Sequence, residues 1–132
     1  MTTNKIERLI DANYNRLKEA LRLLEDIQRF IFDNKELSYA FKEIRHSLTT
    51  LYNPQRVEHR DIINDVSKSS TNSELKRESL SDLIEANFYR AFESSRVLEE
   101  AFKLIEPKNS SIAKEIRYNL YNLHKLVLKE LK

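Results

Sequence analysis

The chain has 132 residues, 40% of them apolar and 33% charged, with 23 Lys and Arg against 21 Asp and Glu. That is enough for one domain, and the near-neutral balance speaks against nucleic acid or an anionic membrane as a bulk electrostatic partner. Glycine and cysteine are absent. Their absence excludes glycine-lined phosphate loops, dinucleotide fingerprints, disulfides, thiolate metal sites and a cysteine nucleophile, and it disfavours a hairpin-rich β fold. No apolar leader core follows Met1, and no stretch approaches the roughly 18 apolar residues of a membrane span, so the expectation is a cytoplasmic all-α domain.

Four helices are predicted in chain order. The first runs from about Lys5 to Phe32, opened by an Asn4…Glu7 capping box. Ile6, Ile10, Leu17, Ala20, Leu24, Ile27 and Ile31 form its apolar row, and Leu9, Leu23 and Phe30 form a second row that widens the stripe. The second runs from about Lys35 to Tyr52, after an Asp33…Glu36 box. Its face is Leu37, Phe41, Ile44, Leu48 and Leu51, and Pro54 ends it. A polar stretch, about 53–77, shows no helical period and reads either as a functional loop or as a solvated linker. The third helix spans about Glu78 to Glu106. The fourth spans about Ser111 to Leu131, behind Pro107 and an Asn109-Ser110-Ser111 capping cluster.

The strongest pattern is an internal repeat. Residues 9–31 align without a gap on 83–105. Leu9, Ile10, Ala12, Asn13, Arg16, Glu19, Arg22, Leu24, Glu25 and Ile31 recur as Leu83, Ile84, Ala86, Asn87, Arg90, Glu93, Arg96, Leu98, Glu99 and Ile105. In the second helices, Lys42-Glu43-Ile44-Arg45 recurs as Lys114-Glu115-Ile116-Arg117. The chain thus reads as a pseudo-twofold four-helix bundle made of two repeated helical hairpins, about 4–52 and 78–131, joined by the polar loop.

Two positions per hairpin break the apolar rows: Asn13 and Arg16, and their repeats Asn87 and Arg90. A buried unpaired amide costs ~1–3 kcal/mol and a buried unpaired guanidinium costs more. Four such groups at the inward edge suggest a polar cavity between the halves, with Ala20, Ala91, Ser94 and Ala101 leaving room for it. Asparagine can pair with a heterocycle edge, and arginine offers a fork for phosphate. The competing reading is a polar layer that fixes helix register. Glu19, Arg22 and Glu25, with Glu93, Arg96 and Glu99, have the spacing of an exposed salt-bridged face, although Glu19 could steady Arg16. His46 has the look of an ordinary surface histidine. Glu43-x-x-His46 has di-iron spacing, but the matching place reads Glu115-x-x-Tyr118. His124 reads as bundle surface. In the loop, Asp61 and Asp65 could hold Mg²⁺, and Arg60 and Lys68 could meet phosphates.

The run from Asp11 to Phe30, Arg45-His46, Arg60-Asp61…Asp65-Val66, and Arg77…Ala86-Asn87-Phe88…Arg90…Glu93…Arg96…Leu98-Glu99-Glu100 together resemble a known domain. It is the alternative hydroxymethylpyrimidine-phosphate kinase domain that precedes some bacterial thiamine-phosphate synthases (thiamine-phosphate pyrophosphorylases). The resemblance covers about residues 6–105, with only a helical match beyond. It implies transfer of the γ-phosphoryl of ATP, with Mg²⁺, onto hydroxymethylpyrimidine phosphate. The family commonly has glycine where this chain has Ala20 and Ser67, which weakens a backbone phosphate cradle after Asp65-Val66. Residues are assigned to this chemistry from their types. Asn13 or Asn87 pairs with the aminopyrimidine, and Glu93 joins the binding set. Arg16, Arg90, Arg45 and Arg60 clamp phosphates. Glu19 or His46 orients the attacking oxygen, and Asp61 and Asp65 carry the metal. The alternative is a non-catalytic module that binds a thiamine precursor or associates with thiamine-phosphate synthase. A homodimer is left open. No (β/α)-barrel pattern is present, so synthase chemistry is not expected of this chain.

Overall fold

A computed structural model describes residues 3–71 and 75–132. Helix α1 (Thr3–Asp26) ends in a π-helical turn, Ile27–Ile31, and α2 (Lys35–Thr49) comes after a tight corner. The linker begins with a 3₁₀ turn, Pro54–His59, and leads to α3 (Leu80–Ile105) and α4 (Pro107–Glu130). In the bundle, α1 lies beside α2 and α3, and α4 lies beside α3 and α2. No strand occurs among the described residues.

The core tracks the heptad rows for most of their length. Ile10, Leu17, Leu21 and Leu24 of α1 meet Phe41 and Leu48 of α2, Ile84, Phe88, Leu98 and Phe102 of α3, and Leu120 and Val127 of α4, all at most 2% exposed. The rings of Phe41 and Phe88 touch across the centre at 5.8 Å. Full burial of a side chain of this size contributes roughly 1.5–3 kcal/mol. All five apolar residues predicted for the second helix are buried, although α2 ends at Thr49 instead of Tyr52 and Leu51 lies just beyond it.

The expected continuation of α1 to Phe32 is interrupted. A π turn holds one residue more than an α turn and rotates the residues after it. Gln28 therefore faces inward at 1% exposed, whereas Phe30 and Ile31, expected in the apolar rows, are exposed. Leu9 is exposed as well, because the linker covers α1 on that side only in part. The buried Gln28 donates to Glu130 at 2.8 Å, and Asn34 donates to the other oxygen of that carboxylate at 2.9 Å, which joins the last turn of α4 to the α1–α2 corner.

Three helix starts differ from expectation. Asn4 already lies inside α1, and Glu7 serves Arg56 instead of a capping box. The cap of α2 is Asn34, whose side chain accepts from the Leu37 N–H. Asp33 instead makes the corner at φ +51°, a left-handed conformation that a short polar side chain tolerates. Helix α4 begins at Pro107, whose ring presets the φ of a first helical residue and whose missing N–H is no loss there. The supposed capping cluster sits inside the helix, and Ser110 Oγ donates to the Glu99 carbonyl at 2.8 Å.

Glu25 and Glu99, expected on exposed faces, are each 4% exposed. Arg45 grips Glu25 through Nε (2.9 Å) and Nη2 (3.3 Å). Arg117 grips Glu99 Oε2 through Nε (3.1 Å) and Nη2 (2.8 Å). Glu25 and Glu99, like Arg45 and Arg117, are repeat partners, so the same ion pair ties the two helices of each hairpin. Burial pushes the Glu99 carboxyl up, but Arg117 and Arg96 outweigh it and hold the group below its ordinary value. Arg22 and Arg96 stay on the surface, as expected. His124 is not simple surface: it is half-buried, 2.7 Å from Glu85 Oε1, with its ring against Phe88 and Phe92.

Candidate functional site

The outer side of α1 carries two adjoining grooves. The first lies between α1 and α3, has a volume of about 440 Å³, and takes Asn13 and Arg16 from α1 and Arg90 and Glu93 from α3. Arg77, from the segment before α3, closes one side of it. The groove sits between the two halves, as expected, but it is open to water and not an internal cavity. Arg16, Arg90 and Glu93 are exposed on its rim. The small residues explain why. Ala20, Ala91 and Ala101 are consumed in close helix packing, at no more than 4% exposed, so they leave no hollow. Ser94 alone of the small set lines the groove, and its hydroxyl is turned back onto the Arg90 carbonyl at 2.7 Å.

The two asparagines are held alike. Asn13 Nδ2 donates to the Leu9 carbonyl at 3.0 Å, and Asn87 Nδ2 donates to the Leu83 carbonyl at 2.8 Å. Each amide is thus locked one turn back on its own helix, at 2% and 6% exposed. Asn13 also accepts from Arg16 Nη1 at 3.4 Å, a long contact that leaves the guanidinium free to move. Asn13 lines the groove and Asn87 does not.

The second groove, about 460 Å³, lies between α1 and the linker and is lined by Lys5, Arg8, Leu9, Arg16, Asp61 and Asp65, among others. Its outer wall is held by three arginines. Arg56, 4% exposed, donates to Glu7 (2.6 Å), the Leu51 carbonyl (2.6 Å) and Glu106 (2.9 Å), and lies 5.3 Å over the Phe102 ring. Arg60 grips both oxygens of Asp11 at 2.8 and 3.0 Å, and these bonds hold the Arg60 guanidinium above its ordinary value. Arg8 donates to the Asp61 carbonyl at 3.1 Å. The first part of the linker is therefore docked on α1, and from Ile62 to Thr71 it is exposed.

Asp61 folds the linker back on itself. Its carboxylate accepts from the Asn64 side chain (2.7 Å) and from the N–H groups of Asn64 (3.0 Å) and Ile63 (3.2 Å). These bonds, the Asn64 side chain first, hold its carboxyl below the ordinary value. Asp65 is less occupied, accepting from the Ser67 N–H at 2.9 Å. Among the described residues no group of three or more His, Asp or Glu could hold a metal by itself. Two carboxylates on one groove wall fit an ion that takes most of its ligands from phosphates and water.

The structure thus brings Asn13, Arg16, Arg90 and Glu93 together in one groove, and Arg16, Arg60, Asp61 and Asp65 in the other. It does not bring the remaining candidates to either. Arg45 is committed to Glu25. His46 is exposed on α2, and Glu19 is exposed on α1 outside both grooves. Arg77 was not among the sequence candidates. It sits in an aperiodic stretch two residues before Ser79, which caps α3 by accepting from the Asp82 N–H, and no spacing rule reaches it.

The family model of the ThiD2 family matches residues 8–126. The chain belongs to the ThiD2 family. The ThiD2 match takes in the α1–α3 groove and all of the α1–linker groove except Lys5, and extends through most of α4, further than the expected resemblance to residue 105. Similar curated proteins include a thiamine-phosphate synthase of Synechocystis sp., 38% identical over 89% of this chain and 35% of that protein. A thiamine-phosphate synthase of Nostoc punctiforme is 35% identical over 89% of this chain and 34% of its own. One of Prochlorococcus marinus is 33% identical over 94% of this chain and 36% of its own. The chain therefore spans about a third of the length of these relatives. No solved structure matches it. No helix among the described residues is long and apolar enough to cross a membrane.

Proposed function

We propose that this ThiD2 chain serves thiamine biosynthesis by moving the γ-phosphoryl group of ATP onto hydroxymethylpyrimidine phosphate, giving the diphosphate. The names of its relatives support the pathway, and the resemblance of its motifs to the kinase domain supports the reaction. The observation that carries the reading is the first groove. Arg16, Arg77 and Arg90 line it together, and among the described residues none has a carboxylate partner, whereas Arg45, Arg56 and Arg117 elsewhere do.

The chemistry asks for such groups. The acceptor is a phosphate monoester whose second pKa lies near 6, so its attacking oxygen is already deprotonated at neutral pH. No general base is needed. The obstacle is repulsion between two polyanions, and fixed cations reduce it. Arginine suits this because its guanidinium stays charged and its fork matches phosphate oxygens. This reading moves the work of orienting the acceptor from Glu19 and His46 to the arginines. Asp65, with Asp61, would hold Mg²⁺ on the linker side. When bound, the ion offsets phosphate charge and aligns the triphosphate.

The test is direct. Purified chain, ATP, Mg²⁺ and hydroxymethylpyrimidine phosphate are combined, and ADP and the diphosphate are monitored by chromatography. The expected result is stoichiometric formation of both. Stabilisation of the fold by the pyrimidine phosphate with no ADP formed would instead make the chain a binding module.

A further inference from the structure

Arg16 lines both grooves, and among the described residues it is the one arginine that does so. We infer that the grooves are two adjoining anion subsites that share Arg16, the α1–α3 groove for a pyrimidine monophosphate and the α1–linker groove for a nucleoside triphosphate. The inference rests on the kinase reading for the identity of the ligands. The division rests on what each wall offers. The α1–α3 groove has three guanidiniums and one carboxylate, Glu93, which stands beside them as an exposed polar partner for an amino-substituted ring. The α1–linker groove has a different lining. Leu9 is 46% exposed and Ile62 is 71% exposed within it, an apolar platform for a base, next to the Lys5 and Arg8 cations and the Asp61 and Asp65 carboxylates. Each volume falls in the range of ordinary ligand pockets, about 300–1,000 Å³.

The arrangement gives the transferring group a short path. An oxygen of the monophosphate attacks the γ phosphorus, and the bond from that phosphorus to the β–γ bridging oxygen breaks. The diphosphate nucleotide leaves with the electron pair, and no proton moves. Arg16 stands at the seam where donor and acceptor meet, and its loose 3.4 Å contact with Asn13 lets it track the charge. Arg77 belongs to the acceptor side only. It lies two residues before the Ser79 cap, and among the described residues its guanidinium donates only to the adjacent Lys76 carbonyl. The linker thus contributes to both subsites from its two ends: Asp61 and Asp65 to one, Arg77 to the other.

Calorimetric titration separates the subsites. Wild type, Arg77→Gln, Lys5→Glu and Arg16→Gln are each titrated with hydroxymethylpyrimidine phosphate and, separately, with a non-hydrolysable ATP analogue plus Mg²⁺. All three positions are exposed, and far-UV circular dichroism checks that each variant is folded. Arg77→Gln is expected to weaken the pyrimidine phosphate about tenfold and leave the nucleotide within about twofold. Lys5→Glu should do the reverse, and Arg16→Gln should weaken both. The inference is overturned if Arg77→Gln and Lys5→Glu affect the same ligand, if Arg16→Gln affects one ligand or neither, or if wild type binds neither. Binding of both ligands in the expected pattern without ADP formation would remove the kinase reading and keep the subsites. Turnover without the pattern would do the opposite.

Discussion

Two groups of arginines in this protein differ in one respect. On the inner side of the hairpins and under the linker, Arg45, Arg56, Arg60 and Arg117 each bond a carboxylate on another element. On the outer side of α1, Arg16, Arg77 and Arg90 face a groove without such a partner among the described residues. The first group holds helices and linker in place. The second leaves charge facing a space of ligand size. Arg45 and Arg16 are both helical arginines on or near an apolar stripe. What separates them is whether a carboxylate from elsewhere in the chain reaches them.

The largest expected effect breaks a paired arginine. Glu99→Gln leaves the Arg117 guanidinium buried without its counter-charge and should cost about 3–5 kcal/mol in urea unfolding. Next, Arg16→Ala should leave stability within about 0.5 kcal/mol, because the side chain is exposed, yet reduce kcat by about 10²–10³, read in the ADP assay. Loss of stability with unchanged turnover would put Arg16 in the first group. Third, Glu25→Gln should cost less than its repeat counterpart, about 2 kcal/mol, since the Arg45 side chain is 19% exposed and water can replace part of the bond.

A pH series sharpens the same contrast. Because the Glu99 pKa is lowered in the folded state, its pairing stabilises the fold above the ordinary carboxylate pKa. That contribution should fade as pH falls through the ordinary value towards the lowered one. Thermal melts from neutral pH downward should therefore show a smaller acid-side loss in Glu99→Gln than in wild type. Smallest of all, Arg22→Ala should change stability by no more than about 0.5 kcal/mol, since its contact with Asp26 is long at 3.6 Å and half in solvent.

Much of this was legible in the residues. The four helices and the core face of α2 come from period and punctuation. The Glu–Arg pairs were missed: Glu25 with Arg45 and Glu99 with Arg117 recur together, but i,i+3 spacing to Arg22 and Arg96 pointed towards a surface face, and Arg45 was assigned to phosphate. The burial of Arg56 was not legible. It depends on three acceptors, Glu7, Leu51 and Glu106, brought together only by the fold. Of the site, Asn13, Arg16, Arg90 and Glu93 could be placed together by the repeat. The openness of their groove could not, because the small residues that suggested a hollow serve equally well to draw two helices into contact. Arg77 carries no periodic signal, and its position is set by where the linker ends against the start of α3.

The π turn at Ile27–Ile31 has a consequence for how the protein can change in length. Such a turn is an α-helix with a residue added, so deleting one there should restore ordinary winding and swing the side chains beyond it by about 100°. Phe30 would be carried towards the interior and Gln28 away from Glu130, a disturbance confined to the corner. Residues 3–26, which bear the proposed catalytic face, would keep their winding. Insertions and deletions tolerated over evolution should therefore gather at this corner, well apart from the groove-bearing turns.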